Sequence, residues 1–474
     1  MSVQDKLDKD GIRDDHVPYG PAASGLHIYP DDRQQLSTFQ TPVLLHADNP
    51  HERLYVAALD GTGNDVIHDP EHATNVGLIY KQLAAEENPK IETRYVAGPG
   101  TQADAITRTL DGVTGNTADA RAEQMYKLFI DQAWKWKKDD PDAQIRVAGI
   151  GFSRGADEIA LFARLVEEHG IQDMSGAKYT YDSRGQIKHV EYTKPPLVPP
   201  HEVAQAVALF DPVGTGHEMH EDRRLPPSVI SGIQLTALDE HRGLFKSDRV
   251  IDPGITPDGR FAGVYVPGAH SDVGGGYNRN GLAMRSGNVT IDYLNGLSDR
   301  PFLERNLESD DPRLNVIHHS QDSMLLYRLA PKIERTEPGG YNELEVSRRE
   351  SRHVADPYNA EPRNEALSRQ FEWQKIPNGA APIAMELQKG TRATSRSSSA
   401  EDMFNALCTA AANKDDAASR DIAQAYRQSD AGQTFLGMGQ AMNQQVVLQQ
   451  QQVAFQAQLQ AAAQSQSQIP GLCR

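Results

Sequence analysis

The sequence predicts an α/β fold: a mostly parallel sheet with helices flanking it. Three observations predict it. Short apolar runs end in glycine- or aspartate-bearing turns, as strands buried on both faces do. Segments between them repeat apolar residues at three- and four-residue steps, as helices with one buried stripe do. The two kinds of segment alternate along the chain, which is the pattern of βαβ units.

The first strand is expected at Leu54–Leu59, running into Asp60-Gly61-Thr62-Gly63. A second fits Ile91 to Ala97, before the turn Gly98-Pro99-Gly100. Ala118, Ala122, Met125, Phe129, Ala133 and Trp136 share one helical stripe, and Asp139-Asp140-Pro141-Asp142 ends that helix. A third strand follows at Ile145–Ile150, and the next helix places Ala156, Ile159, Ala160, Ala163 and Val166 on one face. Further strands fit Ala206–Phe210, Ile233–Leu238 and Gly263–Val266.

Around this frame the sequence divides as follows. Residues 1–50 are polar and proline-bearing and read as a weakly ordered arm. Residues 51–345 form the α/β domain, with inserts near 170–200 and 278–345. The first insert reads as a surface hairpin around Arg184-Gly185. The second is placed to cap the C-terminal edge of the sheet. Residues 346–395, rich in Arg, Glu and Pro, read as a charged linker or extension. Residues 396–474 form an Ala/Gln-rich tail in which Ser398 and Glu401 have capping-box spacing, and Met438, Met442 and Val446 have helical spacing. A helical C-terminal extension is therefore expected.

Composition excludes several functions. Lys plus Arg is 48 against 65 Asp plus Glu, a net charge of −17 over 474 residues. Nucleic-acid binding and bulk attraction to anionic membranes both need the opposite sign. No run approaches the roughly 20 apolar residues of a membrane span, so no transmembrane segment is expected. The start, MSVQDKLDKDGIRDDHVPYG, lacks a basic stretch followed by an apolar one, so no Sec-type signal is expected. The two cysteines, Cys408 and Cys473, exclude a disulfide framework and suit a chain made in the cytoplasm.

The chemistry centres on Gly151-Phe152-Ser153-Arg154-Gly155, set between a strand and a helix. This is a nucleophile elbow in the context it requires: the turn pushes the serine hydroxyl out at the top of the sheet, and the flanking glycines allow close backbone passage. The helix N-terminus behind it favours developing negative charge. The base and acid are expected in the chain order Ser, Asp or Glu, His. Asp211 directly follows the strand 206–210, Asp239 and Glu240 follow the next, and His270 follows 263–266 in a glycine-dense loop. All should lie at the strand edge that holds Ser153. We expect His270 as base and Asp211 as the acid orienting it, with Asp239 as the alternative acid. Asp272 supports the loop by accepting backbone N–H groups. Asp60, Gly61 and Thr62 form a turn whose backbone N–H groups suit an oxyanion, with the N–H of Arg154 as second donor. A phosphotransfer reading of Asp60-Gly61-Thr62 fails, because Ala58 stands where that chemistry needs its nucleophilic aspartate. A cation on Asp60, Asp65 or Asp272 has no dense ligand spacing behind it, so no metal or cofactor is expected.

Taken in order, Leu59-Asp60-Gly61-Thr62, Ala97 to Thr101, Gly151 to Ala156, Phe210 to Gly214 and Pro267 to Tyr277 resemble the catalytic domain of type VI secretion phospholipase effectors of the first lipase class. His270 to Tyr277, His-Ser-Asp-Val-Gly-Gly-Gly-Tyr, is the most specific part. The resemblance covers about residues 53–330. It implies an α/β-hydrolase that cleaves acyl esters of membrane phospholipids, with Ser153, Asp211 and His270 as its triad. It further implies export by a contact-dependent apparatus into a target cell, a spike or adaptor partner, and an immunity protein in the producer. Gly63 and Pro212 depart from the residues usual at those positions, an aromatic and a threonine, and neither change removes a catalytic group. Two other functions fit the same residues: an intracellular carboxylesterase acting on a small soluble ester, and a non-catalytic hydrolase-like scaffold that recruits partners through its tail.

Overall fold

The structure is a computed structural model that describes residues 17–18, 39–86, 88–98, 120–181, 187–214, 221–309, 311, 313–320, 331–344 and 360–376. The tail at 396–474 with its capping box, the turn at Arg184-Gly185 and both cysteines lie outside the described residues, as do most of the N-terminal arm and of the charged linker.

The described strands are β1 (Gln40–Pro42), β2 (Glu52–Leu59), β3 (Ile91–Val96), β4 (Gln144–Phe152), β5 (Ala177–Tyr181), β6 (Ile187–Tyr192), β7 (Gln205–Phe210), β8 (Val229–Ala237), β9 (Gly254–Ile255), β10 (Phe261–Val266) and β11 (Trp373–Lys375). The helices are α1 (Asn75–Ala85), α2 (Ala120–Asp139), α3 (Arg154–His169), α4 (His270–Gly274), α5 (Gly281–Asn295) and α6 (Glu365–Ser368). Outside the central sheet, Val17–Pro18 pairs with Val316–Ile317 and Ser247–Asp248 with Tyr341–Asn342, and single 3-10 turns lie at Pro70–His72 and Met174–Gly176.

Seven strands form the central sheet in the order β9-β10-β8-β7-β4-β2-β3. All pairs are parallel except the edge pair β9–β10. The mostly parallel sheet with flanking helices is thus as the sequence predicts. Alternation along β2 explains the two layers. Leu54, Val56 and Ala58 face the core shared with Val76, Ile79 and Leu83 of α1 and Ile291 and Leu294 of α5. Tyr55, Ala57 and Leu59 face the core shared with Met125 and Phe129 of α2 and Ile159 and Phe162 of α3. Every residue of β7 and β8 is buried, as strands covered on both faces should be.

The structure adds elements that the sequence reading passed over. Helix α1 begins at Thr74, whose hydroxyl accepts from the Gly77 N–H. The insert 278–345 contains α5, and Asn75 Nδ2 donates to the carbonyls of Val273 and Ala283, tying α1 to α4 and α5. Phe39, Leu44 and Leu45 of the expected arm lie in the core, and β1 pairs antiparallel with β11 from the expected linker. The physical reason is that a few apolar residues in a polar stretch suffice to seat it when they reach a ready-made hydrophobic face.

Candidate active site

Strand β4 runs straight into Ser153, the cap of α3, which sits at φ 56, ψ −126. Side chains other than glycine rarely adopt this conformation, at a cost of about 1–3 kcal/mol. The neighbours explain how the turn closes. A Cβ at Gly151 would strike the Gly155 carbonyl and Ala156, and one at Gly155 would strike the carbonyls of Leu59 and Asp60. Both glycines therefore let α3 press against the ends of β2 and β4. The Ser153 N–H donates to the Phe210 carbonyl, which locks the elbow to β7.

Asp211 follows β7 and also has positive φ, at 40°. His270 opens α4, just after β10. The three side chains meet although they stand 59 and 117 residues from one another. His270 Nε2 lies 2.9 Å from Ser153 Oγ, and His270 Nδ1 lies 2.5 Å from Asp211 Oδ2. With the proton on Nδ1 donated to Asp211, Nε2 is left to accept from the serine hydroxyl. The imidazole is held between two rings: Phe152 at 4.6 Å between centroids and Phe245 at 5.2 Å, edge-on. All three polar side chains are buried, Asp211 completely.

Asp211 is further bound by the Ala237 N–H at 2.9 Å and by Arg335, whose two terminal nitrogens lie 2.7 and 3.1 Å from its two oxygens. Burial would raise this carboxyl, but the Arg335 charge and the His270 bond outweigh it and hold it down at about 2. Asp239 lies elsewhere. Its carboxylate accepts from the Gly268 N–H at 2.7 Å and its own N–H donates back to the Gly268 carbonyl, so it clasps the start of the histidine loop. Glu240 accepts from the His270 backbone N–H, from the Ser320 hydroxyl and from Arg242. Despite the cost of burial, the nearby guanidinium groups hold its carboxyl at about 2. Asp272 accepts from the backbone N–H groups of Ala269 and His318 and contacts His318 Nδ1 at 2.5 Å.

Asp60 is fully buried. It accepts from the Tyr95 hydroxyl at 2.6 Å, the Thr74 hydroxyl at 2.8 Å and the Gly61 N–H at 2.8 Å. Burial pushes its carboxyl up, and these donors hold part of that rise back. The Gly61 N–H is thus engaged by the Asp60 carboxylate. The Arg154 N–H opens α3, where no intrahelical acceptor exists, and its side-chain Nε donates to Thr62 Oγ1 at 2.5 Å, joining the two loops. Among the described residues no group of three His, Cys, Asp or Glu forms a metal-ligand set, and no helix is long and apolar enough to cross a membrane.

Sequence reasoning missed Arg335, Glu240 as a brace of the His270 backbone, and His318. Glu240 has a strand end before it, but Arg335 lies in Ile333-Glu334-Arg335-Thr336, an ordinary charged stretch without a local signal.

No curated protein matches the chain. Among solved structures, it is similar to an uncharacterized protein from Pseudomonas aeruginosa, with 16% identity and a TM-score of 0.35 over 57% of this chain. The chain spans 50% of the length of that protein. It is also similar to esterase 2 of Thermogutta terrifontis, with 14% identity and a TM-score of 0.25 over 54% of this chain and 88% of that one. An acetyl xylan esterase gives 12% identity and a TM-score of 0.21 over 54% and 96%. The family described as "T6SS, Phospholipase effector Tle1-like, catalytic domain" matches residues 53–296. That stretch is more than half of the chain and contains the elbow, Asp211 and the histidine loop, so the chain belongs to the Tle1-like phospholipase effectors of the type VI secretion system, a family of lipolytic hydrolases.

Proposed function

We propose that the protein is a serine-dependent phospholipase, delivered into a competing cell, that cleaves acyl esters of membrane phospholipids through Ser153, His270 and Asp211. The observation that carries this reading is the unbroken chain from Ser153 Oγ to His270 Nε2 at 2.9 Å and from His270 Nδ1 to Asp211 at 2.5 Å, at the end of a parallel sheet. His270 takes the hydroxyl proton as the Ser153 oxygen attacks the ester carbonyl. The imidazolium that forms is held by Asp211, and the tetrahedral oxyanion by the N–H groups of Thr62 and Arg154. His270 then returns the proton to the departing lysolipid oxygen. A water, activated by the same imidazole, releases the acyl group from the serine.

Family membership supports the lipid substrate and the delivery route. A phospholipase loose in its own cytoplasm would attack its host, so a cognate immunity protein in the producer and a spike or adaptor partner complete the proposal. The net charge of −17 means that contact with an anionic bilayer rests on apolar contacts or on the delivery partner.

Ser153→Ala should abolish fatty-acid release from phosphatidylethanolamine/phosphatidylglycerol vesicles and labelling by a fluorophosphonate, with the circular dichroism spectrum unchanged. Turnover retained in this variant would reject the mechanism. Wild-type turnover of a short-chain soluble ester, with none on the vesicles, would move the reading to a carboxylesterase.

A further inference from the structure

Beyond the family-matched residues 53–296 the chain returns to the active site. Ile333 N–H donates to the His241 carbonyl, and Lys332 bridges Arg242. The Tyr265 hydroxyl of β10 donates to the Arg335 carbonyl at 3.2 Å. These bonds hold Arg335, 1% exposed, with its guanidinium across both Asp211 oxygens at 2.7 and 3.1 Å.

Among the described residues, the groups bonded to His270 and its turn are engaged as follows. Ser153 is on Nε2 and Asp211 on Nδ1. Glu240 is on the His270 backbone N–H and is itself gripped by Arg242 through both oxygens. Asp272, on the same turn, is engaged by Ala269 and His318. Asp239 is engaged by Gly268. Arg335 is the cation that binds the carboxylate facing the imidazole.

We propose that Arg335 is a positioning residue of this hydrolase: its two-point grip fixes the plane of the Asp211 carboxylate against His270 and offsets that charge. The working site therefore includes a segment some forty residues past the matched catalytic domain. A single-point cation such as lysine would offset the charge but leave the carboxylate free to turn. Without any cation, the Asp211 charge would act undiminished on the imidazole and favour its protonated form. Geometry and charge thus separate into two readouts.

The inference rests on the triad reading, and the two can fail separately. The test uses the full chain, a p-nitrophenyl short-chain ester and kcat/KM across pH 5 to 9. Arg335→Gln should lower kcat about 100-fold with KM within about twofold, since a small misplacement of a catalytic group costs about that much. Its acid limb should move to higher pH by about one unit. Arg335→Lys should keep the limb in place and lose about tenfold in kcat. An unmoved limb in Arg335→Gln, a moved limb in Arg335→Lys, or wild-type kcat in Arg335→Lys would each overturn the proposal. If Arg335→Gln does not fold, as judged by near-UV circular dichroism, Arg335→Lys decides alone on the same two readouts. Failure of the triad reading shows instead as turnover surviving Ser153→Ala.

Discussion

At the scale of single residues, the site depends on side chains that pack around Ser153, Asp211 and His270. Phe152 packs on the His270 ring, and Gly274 leaves the space that Phe152 fills. A Cβ at Gly274 would lie 2.0–2.3 Å from three carbons of the Phe152 ring. Gly274→Ala should therefore push Phe152 against the imidazole and lower kcat about 100-fold without removing any polar group of the site. It should also destabilise the fold by about 1–3 kcal/mol, as overpacking does. Steady-state kinetics and urea unfolding of the variant check both, and unchanged kcat would show that the ring does not hold the histidine. The same residues show what sequence can and cannot reveal. Ser153, Asp211 and His270 are legible as candidates because Ser153 and Asp211 directly follow buried strands, His270 follows one after a short turn, and parallel strands deliver their ends to one edge. Arg335 did not, because its only mark is a partner 124 residues away. Gly61 stood out for its turn, yet its N–H belongs to Asp60. Side-chain competition for a donor is not written in spacing.

At the scale of elements, legibility follows burial. Strands β2, β4 and β7 could be read from short apolar runs, and helices α2 and α3 from apolar residues that recur at helical steps. Helix α5 could not. It buries Ser286, Asn288, Thr290 and Asn295 alongside its apolar residues, and polar residues satisfied by partners outside the helix, such as Asn295 Nδ2 donating to the Leu303 carbonyl, blur the pattern. Helix α2 supplies the clearest test of the packing on the elbow side of the sheet. Phe129 is fully buried, with its ring 5.1 Å from Tyr55 and 6.1 Å from Phe162. Phe129→Ala should cost about 3–5 kcal/mol in urea unfolding. Labelling of Ser153 below the transition should persist, because no polar contact of the site passes through that ring. A loss below about 1 kcal/mol would mean that the helix is not seated as described.

At the scale of the whole molecule, buried carboxylates set the response to acid. Asp211 and Glu240 are each held at about 2, below the ordinary carboxyl values of 3.8 and 4.5. A carboxyl whose folded value is depressed contributes stability above its unfolded value and loses it as pH falls through the folded one. Each of the two should contribute on the order of 2 kcal/mol at neutral pH, lost between about pH 4.5 and pH 2. Asp60 works in the opposite sense, since its carboxyl is raised and its penalty lessens as it protonates. The net expectation is a urea midpoint that falls steeply below about pH 4.5. A midpoint flat to pH 3 would contradict the ion-paired state of Asp211 and Glu240.

The pairing of β1 with β11 joins Gln40 to Lys375 and Pro42 to Trp373. On a ribosome, the early partner must wait, its edge unfilled, until the late one emerges. The nucleophile elbow is made long before that moment, but the arginine across Asp211 and the closing strand arrive only after the histidine loop. Biosynthesis thus orders the assembly: a nascent chain halted before residue 335 carries the serine, the histidine and the aspartate without the clamp that aligns them.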